Sequence, residues 1–149
     1  MVQLSADFST GDIVTPEPKE YYLKSRFVDN LSFKVWGYTI ETVLAEKAQT
    51  ILTRGVLNTR PRDFYDIKML MESFKLDLDL FSIALRETCK HRNTLYALDR
   101  PLSRIEELRG DPALTAQWER YRKTYSYASE YTFGDMCDSV SSLLKCVNP

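Results

Sequence analysis

The stretch Glu41-Thr-Val-Leu-Ala-Glu-Lys-Ala-Gln-Thr-Ile-Leu-Thr-Arg-Gly55 decides the fold, because it predicts a helix that buries one face. Apolar residues recur at the i, i+3, i+4 spacing of such a helix, at Ile40, Val43, Leu44, Ala48, Ile51 and Leu52. Lys47 lies inside this apolar stripe. Its stem must therefore follow the core-facing side of the helix, while its ammonium finds an acceptor or reaches solvent.

A second predicted helix follows directly and carries candidate acceptors for that ammonium. It begins in Arg60-Pro-Arg-Asp-Phe-Tyr-Asp66, where Pro61 suits the first helical position and Arg62 reaches Asp66 at i+4. Its predicted core stripe consists of Phe64, Ile67, Met71 and Phe74. Asp63 and Asp66 lie beside that stripe. Two interpretations stay open here, an ion-pair cluster between two helices and the wall of an active site.

Composition limits the class of protein. The 149 residues are 44% hydrophobic and 12% aromatic, which predicts one domain with a packed core. Twenty basic and twenty-one acidic residues give a net charge of −1, so a nucleic-acid partner would need a local basic patch. No apolar run reaches the roughly 18 residues of a membrane span, and the first residues lack a signal core. We predict a cytoplasmic protein without membrane contact.

Motifs exclude several kinds of chemistry. Three cysteines without a CxxC pair favour free thiols, and a single histidine, His91, leaves little for a His-rich metal site or a serine-type triad. His91 itself is predicted to be a solvated helix-end residue. The chain has no G-x-x-x-x-G-K-[ST] loop, which excludes P-loop chemistry.

The order of patterns predicts an α+β fold, with a small N-terminal strand region packed on a larger C-terminal helical bundle. Strands are predicted at 3–8, 20–27 and 31–38, with a turn at Asp29-Asn30 that suits a hairpin. Helices are predicted at 39–55, 61–74, 79–92, 101–109, 112–128 and 133–146. The corresponding division of the chain is a partial sheet at 1–38 and a helical domain at 39–149.

Pairs of carboxylates and a group of aromatic residues allow two interpretations each. Asp7 and Asp12 suit an oxygen-donor pair for Mg²⁺ or a turn that binds backbone amides. The pairs Asp77/Asp79 and Asp135/Asp138 are predicted caps and solvated positions. Basic residues interleave with aromatic ones near the C-terminus, a pattern of RNA contact or of core packing beside a solvated basic face. They are Trp118, Tyr121, Tyr125, Tyr127 and Tyr131 with Arg120, Arg122 and Lys123.

The segments Asp7-Phe-Ser-Thr-Gly-Asp12, Glu41-Thr-x-Leu-Ala-Glu-Lys47 and Arg62-Asp-Phe-Tyr-Asp66, in this order and at these distances, resemble the nucleotidyltransferase toxins of the AbiEii/AbiGii abortive-infection type. Thr88, Arg92 and the segment 118–133 resemble the helical tail of that family. The resemblance implies a polymerase β-like transferase in a toxin–antitoxin system for phage resistance. Such an enzyme uses NTP and Mg²⁺ to transfer NMP to tRNA, and a cognate antitoxin opposes it.

The resemblance also assigns roles to individual residues. Asp7 matches a metal-binding carboxylate, and Lys47 and Arg62 match positions expected to bind the nucleotide. Lys47, Asp63 and Asp66 match the catalytic positions, the two carboxylates lying in the family's Arg-Asp-x-x-Asp helix.

One family motif has no match in the chain, the Gly-Ser turn followed by Asp-x-Asp. The resemblance is thus to the C-terminal part of such an enzyme, which we expect to be weak or inactive alone. Mg²⁺ and NTP are expected for the family, and whether this chain alone binds either stays open. Whether this chain is an enzyme stays open. The alternatives are a non-catalytic module that binds an antitoxin, RNA or another protein, and a structural remnant with a Lys47–Asp66 ion pair.

Overall fold

The computed structural model describes residues 11 and 13–147, which form an α+β fold with an N-terminal β-hairpin and a helical body. Strand β1 spans Lys19–Lys24 and pairs antiparallel with β2, Ser32–Gly37, so that Tyr21 faces Val35. The hairpin turn contains Asn30 in the left-handed region, at φ 62°, a conformation that asparagine tolerates. The hairpin prediction is confirmed, whereas the predicted strand at 3–8 lies outside the described residues.

Six α-helices follow in the described part of the chain, close to the predicted bounds. They are α1, Ile40–Arg54; α2, Pro61–Ser73; α3, Leu78–His91; α4, Pro101–Arg109; α5, Pro112–Thr124; and α6, Phe133–Leu144. Helix α5 is shorter than the predicted 112–128. The chain turns to extended backbone at Tyr125 and continues in a short 3₁₀ helix, Ser126–Ala128.

Local signals define most of the helix ends. Thr39 caps α1 by accepting the backbone N–H of Thr42, and Gly55 ends it at φ 53°, in the half of backbone space that glycine adopts without cost. Asp77 caps α3, and Thr132 forms a capping box with Asp135 at α6. These two carboxylates therefore have the capping role that the sequence predicts for their pairs.

The core lies between the helices of the body. Helix α1 packs against α3 and α2, and α6 packs against α2 and α4. The largest fully buried side chains are Trp118, Phe64, Phe81, Leu44, Ile51, Leu52, Ile67, Leu85, Ile105, Met136, Leu143 and Leu144. The prediction that Phe74 belongs to the core stripe is wrong. Helix α2 ends at Ser73, and Phe74 adopts extended backbone that leaves its ring 51% exposed.

The hairpin contributes little to this core. Every residue of β1 and β2 is exposed except Gly37, which is half-buried. The Tyr21 hydroxyl donates to the Tyr38 carbonyl within the hairpin region, and a hydrogen bond from the Thr42 hydroxyl of α1 to the Thr15 carbonyl joins the segment before the hairpin to the body. The division at residues 38 and 39 stays a prediction. None of the helices in the described residues is both long and apolar enough to cross a membrane.

Burial of Cys137 in α6 makes the fold sensitive to alkaline pH. Burial raises the pKa of its thiol from 9.0 to about 12. Because the thiol of the unfolded chain ionises first, this stabilisation is present below pH 9.0 and is lost as the pH rises towards the folded-state pKa. We expect this thiol to lower the free energy of unfolding by about 1 kcal/mol between about pH 9 and pH 10. Urea titrations of wild type and Cys137→Ala at both pH values test this, since the variant should lose less by that amount.

Candidate functional site

Helices α1 and α2, which correspond to the first two helices predicted from the sequence, meet at Lys47. The Lys47 ammonium of α1 donates to Asp66 Oδ2 of α2 at 2.6 Å and to Asp63 Oδ1 at 3.1 Å. The three side chains, which we call the Lys47 cluster, are 21%, 25% and 14% exposed for Lys47, Asp66 and Asp63. The acceptors of the lysine thus come from the second helix, as the sequence indicates.

The helical periodicity explains this meeting. Asp63 and Asp66 are three residues apart, so both point from the same face of α2 towards α1. Phe64 and Ile67, next to them, are buried and anchor that face. Arg62 lies on the solvent side of the cluster, 75% exposed, with its Nε 3.7 Å from Asp66 Oδ2. Its contact with Asp66 is therefore longer and more exposed to solvent than the contact between Lys47 and Asp66.

The electrostatics keep the lysine charged. Burial lowers the pKa of Lys47, but hydrogen bonds and charges from Asp66 and Asp63 outweigh that effect, so its pKa lies above the ordinary 10.5. Of the three N–H donors on an ammonium, two are directed to carboxylates. Lys47 also lines the cavity described next.

A cavity of about 300 Å³ opens beside the Lys47 cluster, and two further cations line it. Its wall includes Lys47, Arg60 and Arg92, with Glu46 and Asp63 as the acidic members. We call the three basic residues and the space between them the cationic cavity. Such a group of donors around a pocket is suited to a phosphate or carboxylate ligand.

Arg92 is positioned by neighbouring side chains. Its Nη1 donates to Gln49 Oε1 at 2.8 Å, and Gln49 Nε2 donates to Thr94 Oγ1 at 3.1 Å. Its Nη2 lies 3.9 Å from Glu46 Oε1. Gln49 is nearly fully buried, at 5% exposure, so the Arg92 guanidinium is hydrogen-bonded to a side chain that packing on α1 holds in place.

Arg60 reaches the cavity from the loop before α2. Its backbone N–H donates to Asn58 Oδ1 at 2.8 Å, and Asn58 is buried, which orients the loop. Sequence reasoning gave neither Arg60 nor Arg92 a role at a site. Arg60 opens the quoted second stretch, and Arg92 belongs to the resembling tail, but no pattern in the sequence shows that both meet Lys47.

The described residues do not fit a divalent cation. Among residues 11 and 13–147, no three histidine, cysteine, aspartate or glutamate side chains come close enough together to hold a metal. Asp63 and Asp66 direct oxygens at the Lys47 ammonium, which places a positive charge where a cation would have to bind. Asp7, the predicted metal ligand, lies outside the described residues.

Comparison with known proteins gives the family. A family model described as nucleotidyl transferase AbiEii toxin, type IV toxin–antitoxin system, matches residues 2–139. The chain belongs to the AbiEii toxin family. A search of the curated proteins and a search of the solved structures each gave no match.

The AbiEii family agrees with the resemblance seen in the sequence. It indicates a nucleotidyltransferase toxin of a type IV toxin–antitoxin system, and it implies an antitoxin partner. Nucleotidyltransferases generally use NTP and a divalent metal. The roles of Lys47, Arg62, Asp63 and Asp66 in that chemistry stay predictions.

Proposed function

We propose that this AbiEii chain serves in nucleotidyl transfer to tRNA, with the triphosphate of an NTP bound in the cationic cavity. The observation that carries the proposal is the position of the Lys47 ammonium, fixed by two carboxylates at the wall of a cavity that Arg60 and Arg92 also line. Guanidinium and ammonium groups held in advance stabilise charge on a transferring phosphoryl group without reorganising.

The residues would act as follows. The 3′ oxygen of the RNA forms a bond to the α-phosphorus, the bond from that phosphorus to the bridging oxygen breaks, and pyrophosphate leaves with the electron pair. The hydroxyl proton passes to water. Lys47, Arg60 and Arg92 bind the phosphates on which charge builds up, whereas Asp63 and Asp66 hold Lys47 in place. A divalent metal would add charge stabilisation in such a reaction, but we derive no step through one because the described residues do not fit it.

A specific observation favours a second function for the chain acting alone, a non-catalytic module that binds the antitoxin, RNA or another protein. The 149 residues contain no Gly-Ser turn followed by Asp-x-Asp, and Asp77-Leu78-Asp79 has its first aspartate engaged as the cap of α3. We therefore expect weak transfer by this chain in isolation. Arg62 remains a proposed nucleotide contact at the outer edge of the site, given its exposure.

The experiment is a transfer assay with purified chain, α-labelled NTPs, Mg²⁺ and total tRNA. We expect slow labelling of tRNA by wild type and at least a roughly tenfold loss with Lys47→Met, which removes one charged phosphate contact. Lys90→Met is the matched control, since Lys90 is an exposed lysine of α3 with a long 3.8 Å contact to Glu87. It should label tRNA as wild type does.

Two outcomes of the transfer assay, together with measurements of binding, separate the candidate functions. If no variant labels tRNA, transfer by this chain is contradicted, and binding of the antitoxin by wild type and Lys47→Met alike would support the module. If Lys47→Met labels tRNA as fast as wild type, the assignment of the cationic cavity is wrong. Nucleotide affinity, measured by calorimetry with a non-hydrolysable NTP analogue, should fall in Lys47→Met and stay unchanged in Lys90→Met.

A further inference from the structure

A cluster of five tyrosines lies between α2 and the segment that follows α5. Its members are Tyr65, Tyr121, Tyr125, Tyr127 and Tyr131. Tyr65 packs on Tyr127 at 4.9 Å between ring centroids, and Tyr121 packs on Tyr125 at 4.8 Å. The hydroxyls of Tyr121 and Tyr127 share a hydrogen bond of 2.9 Å. These contacts fix the rings relative to one another, and we call the group the tyrosine cluster.

The outer members of the cluster expose their rings. Tyr125 is 44% exposed and Tyr127 is 47% exposed, and their rings stack at 5.5 Å with 28° between the planes. This pair exists because α5 ends at Thr124. Extended backbone at Tyr125 and the 3₁₀ turn of Ser126–Ala128 bring the two rings side by side, whereas a continuing helix would separate them around its axis.

Cations and hydroxyls line a cavity formed by residues on either side of these tyrosines in the chain. The cavity of about 520 Å³ is lined by Arg122, Lys123, Thr124, Ser126 and Ser129, with Glu119 as its acidic member. Arg122 donates to Glu119 Oε1 at 3.3 Å and to the carbonyl of Ser129, which holds its guanidinium at the rim. Lys123 is exposed. Thr124 and Ser126 flank Tyr125 in the chain, so the cavity is formed by the same turn that carries the two exposed rings.

The cluster also adjoins the Lys47 cluster. Tyr65 is the residue before Asp66 on α2, and its hydroxyl donates to the carbonyl of Tyr127 at 3.4 Å. The tyrosine cluster and the Lys47 cluster are therefore both built on α2. Rigid exposed rings next to basic and hydroxyl groups are suited to unpaired nucleobases with their phosphates, because every base has a face that stacks.

We propose that the tyrosine cluster is a stacking surface for the unpaired 3′-terminal nucleotides of the acceptor RNA, with Arg122 and Lys123 binding the phosphates between them. The proposal rests on the proposed function in taking RNA as the acceptor. Tyr125 and Tyr127 contact the bases, and Tyr65 and Tyr121 support them. Base-paired RNA has no exposed base faces within the helix, so the surface selects single strands.

The experiment measures binding of a short, fluorescein-labelled single-stranded RNA to the full chain by anisotropy. We expect affinity to fall about tenfold for each of Tyr125→Ala and Tyr127→Ala. Tyr125→Phe and Tyr127→Phe keep the ring and should bind within about twofold of wild type, because stacking needs no hydroxyl. Lys123→Ala should reduce the dependence of affinity on salt by about one ion.

Controls separate stacking from charge and from unfolding. Tyr96→Ala removes a tyrosine that is 54% exposed in another 3₁₀ helix, Leu95–Leu98, and should leave affinity unchanged. The same RNA with abasic positions should bind wild type as weakly as intact RNA binds the alanine variants. Thermal melting of each variant shows that it is folded. Equal affinity for wild type and for Tyr125→Ala/Tyr127→Ala, or equal affinity for single-stranded and duplex RNA, would overturn the proposal.

The outcome is independent of catalysis. If RNA binds through the rings but no label is transferred, the stacking surface stands while the proposed transfer falls. If transfer occurs and the KM for tRNA is the same in Tyr125→Ala/Tyr127→Ala as in wild type, the stacking surface falls while the transfer stands. Loss of antitoxin binding in the alanine variants, with RNA binding intact, would assign the surface to a protein partner and overturn the RNA proposal.

Discussion

Replacing Trp118 with alanine is expected to lower the free energy of unfolding by about 3–5 kcal/mol, the cost of a large-to-small change in a packed core. Trp118 of α5 is fully buried, with its ring 5.4 Å from that of Tyr121 and 6.5 Å from that of Phe133. Its indole N–H donates to the carbonyl of Tyr131 at 3.0 Å, so alanine also leaves that carbonyl without its partner. Domains of this size have about 5–15 kcal/mol in total, and much of it would be lost.

The second tryptophan of the chain is the matched control for this substitution. Trp36 lies on β2 and is 73% exposed, so Trp36→Ala is expected to change stability by about 0.5 kcal/mol or less. Urea denaturation followed by far-ultraviolet circular dichroism compares the two variants without depending on tryptophan fluorescence. Similar midpoints for Trp118→Ala and Trp36→Ala would contradict the packing described here.

The helices of the body were predictable because residues at their ends, such as caps, prolines and glycines, mark where each helix begins or stops. Thr39 and Gly55 bound α1, and Pro61 starts α2 at the position where a missing N–H costs nothing. Asp111 caps α5 and Thr132 caps α6, as their sequences indicate. Such signals act over a few residues and need no knowledge of the rest of the chain.

The predicted end of α5 is wrong because contacts between residues distant in sequence determine where this helix stops. No glycine or proline marks the end of α5 at Thr124, and helical spacing continues to Tyr125. The chain nevertheless turns back, in an arrangement that lets the Trp118 indole bind the carbonyl of Tyr131. Tyr125 is consequently on the surface, although the spacing with Trp118 and Tyr121 also fits a core position. Tertiary contacts override local preference here.

Half of the candidate site followed from periodicity and half did not. Spacing shows that Lys47 faces the core side of α1 and that Asp63 and Asp66 share a face of α2, so their meeting is predictable once the two helices are neighbours. Arg92 ends up beside Lys47 through the packing of α3 on α1, and Arg60 through the loop before α2. Neither position is encoded in a spacing, because both depend on how separate elements pack.

Lys47→Met is expected to lower the free energy of unfolding by about 3 kcal/mol at neutral pH. Methionine keeps the apolar stem within the stripe of α1, so the loss comes from charge and not from a cavity. Asp63 and Asp66 would remain as two largely buried carboxylates without the ammonium that neutralises them, and removing one partner of such a cluster costs about 3–5 kcal/mol. Arg62 is too exposed to replace it. Arg62→Ala should cost about 0.5 kcal/mol or less, since surface ion pairs contribute little.

Neutralising the carboxylates together with the lysine separates the structural role of this cluster from a binding role. In Lys47→Met/Asp63→Asn/Asp66→Asn no buried charge is left unpaired, so we expect most of the lost stability to return, with a coupling of about 1–3 kcal/mol between the lysine and the two aspartates. Calorimetry with a non-hydrolysable NTP analogue then distinguishes the two interpretations. If the cluster is only an ion pair between helices, this stable variant should bind nucleotide as wild type does, or neither should bind. If Lys47 contacts phosphate, the variant should fold and still lose nucleotide, because stability has been restored and the ammonium has not.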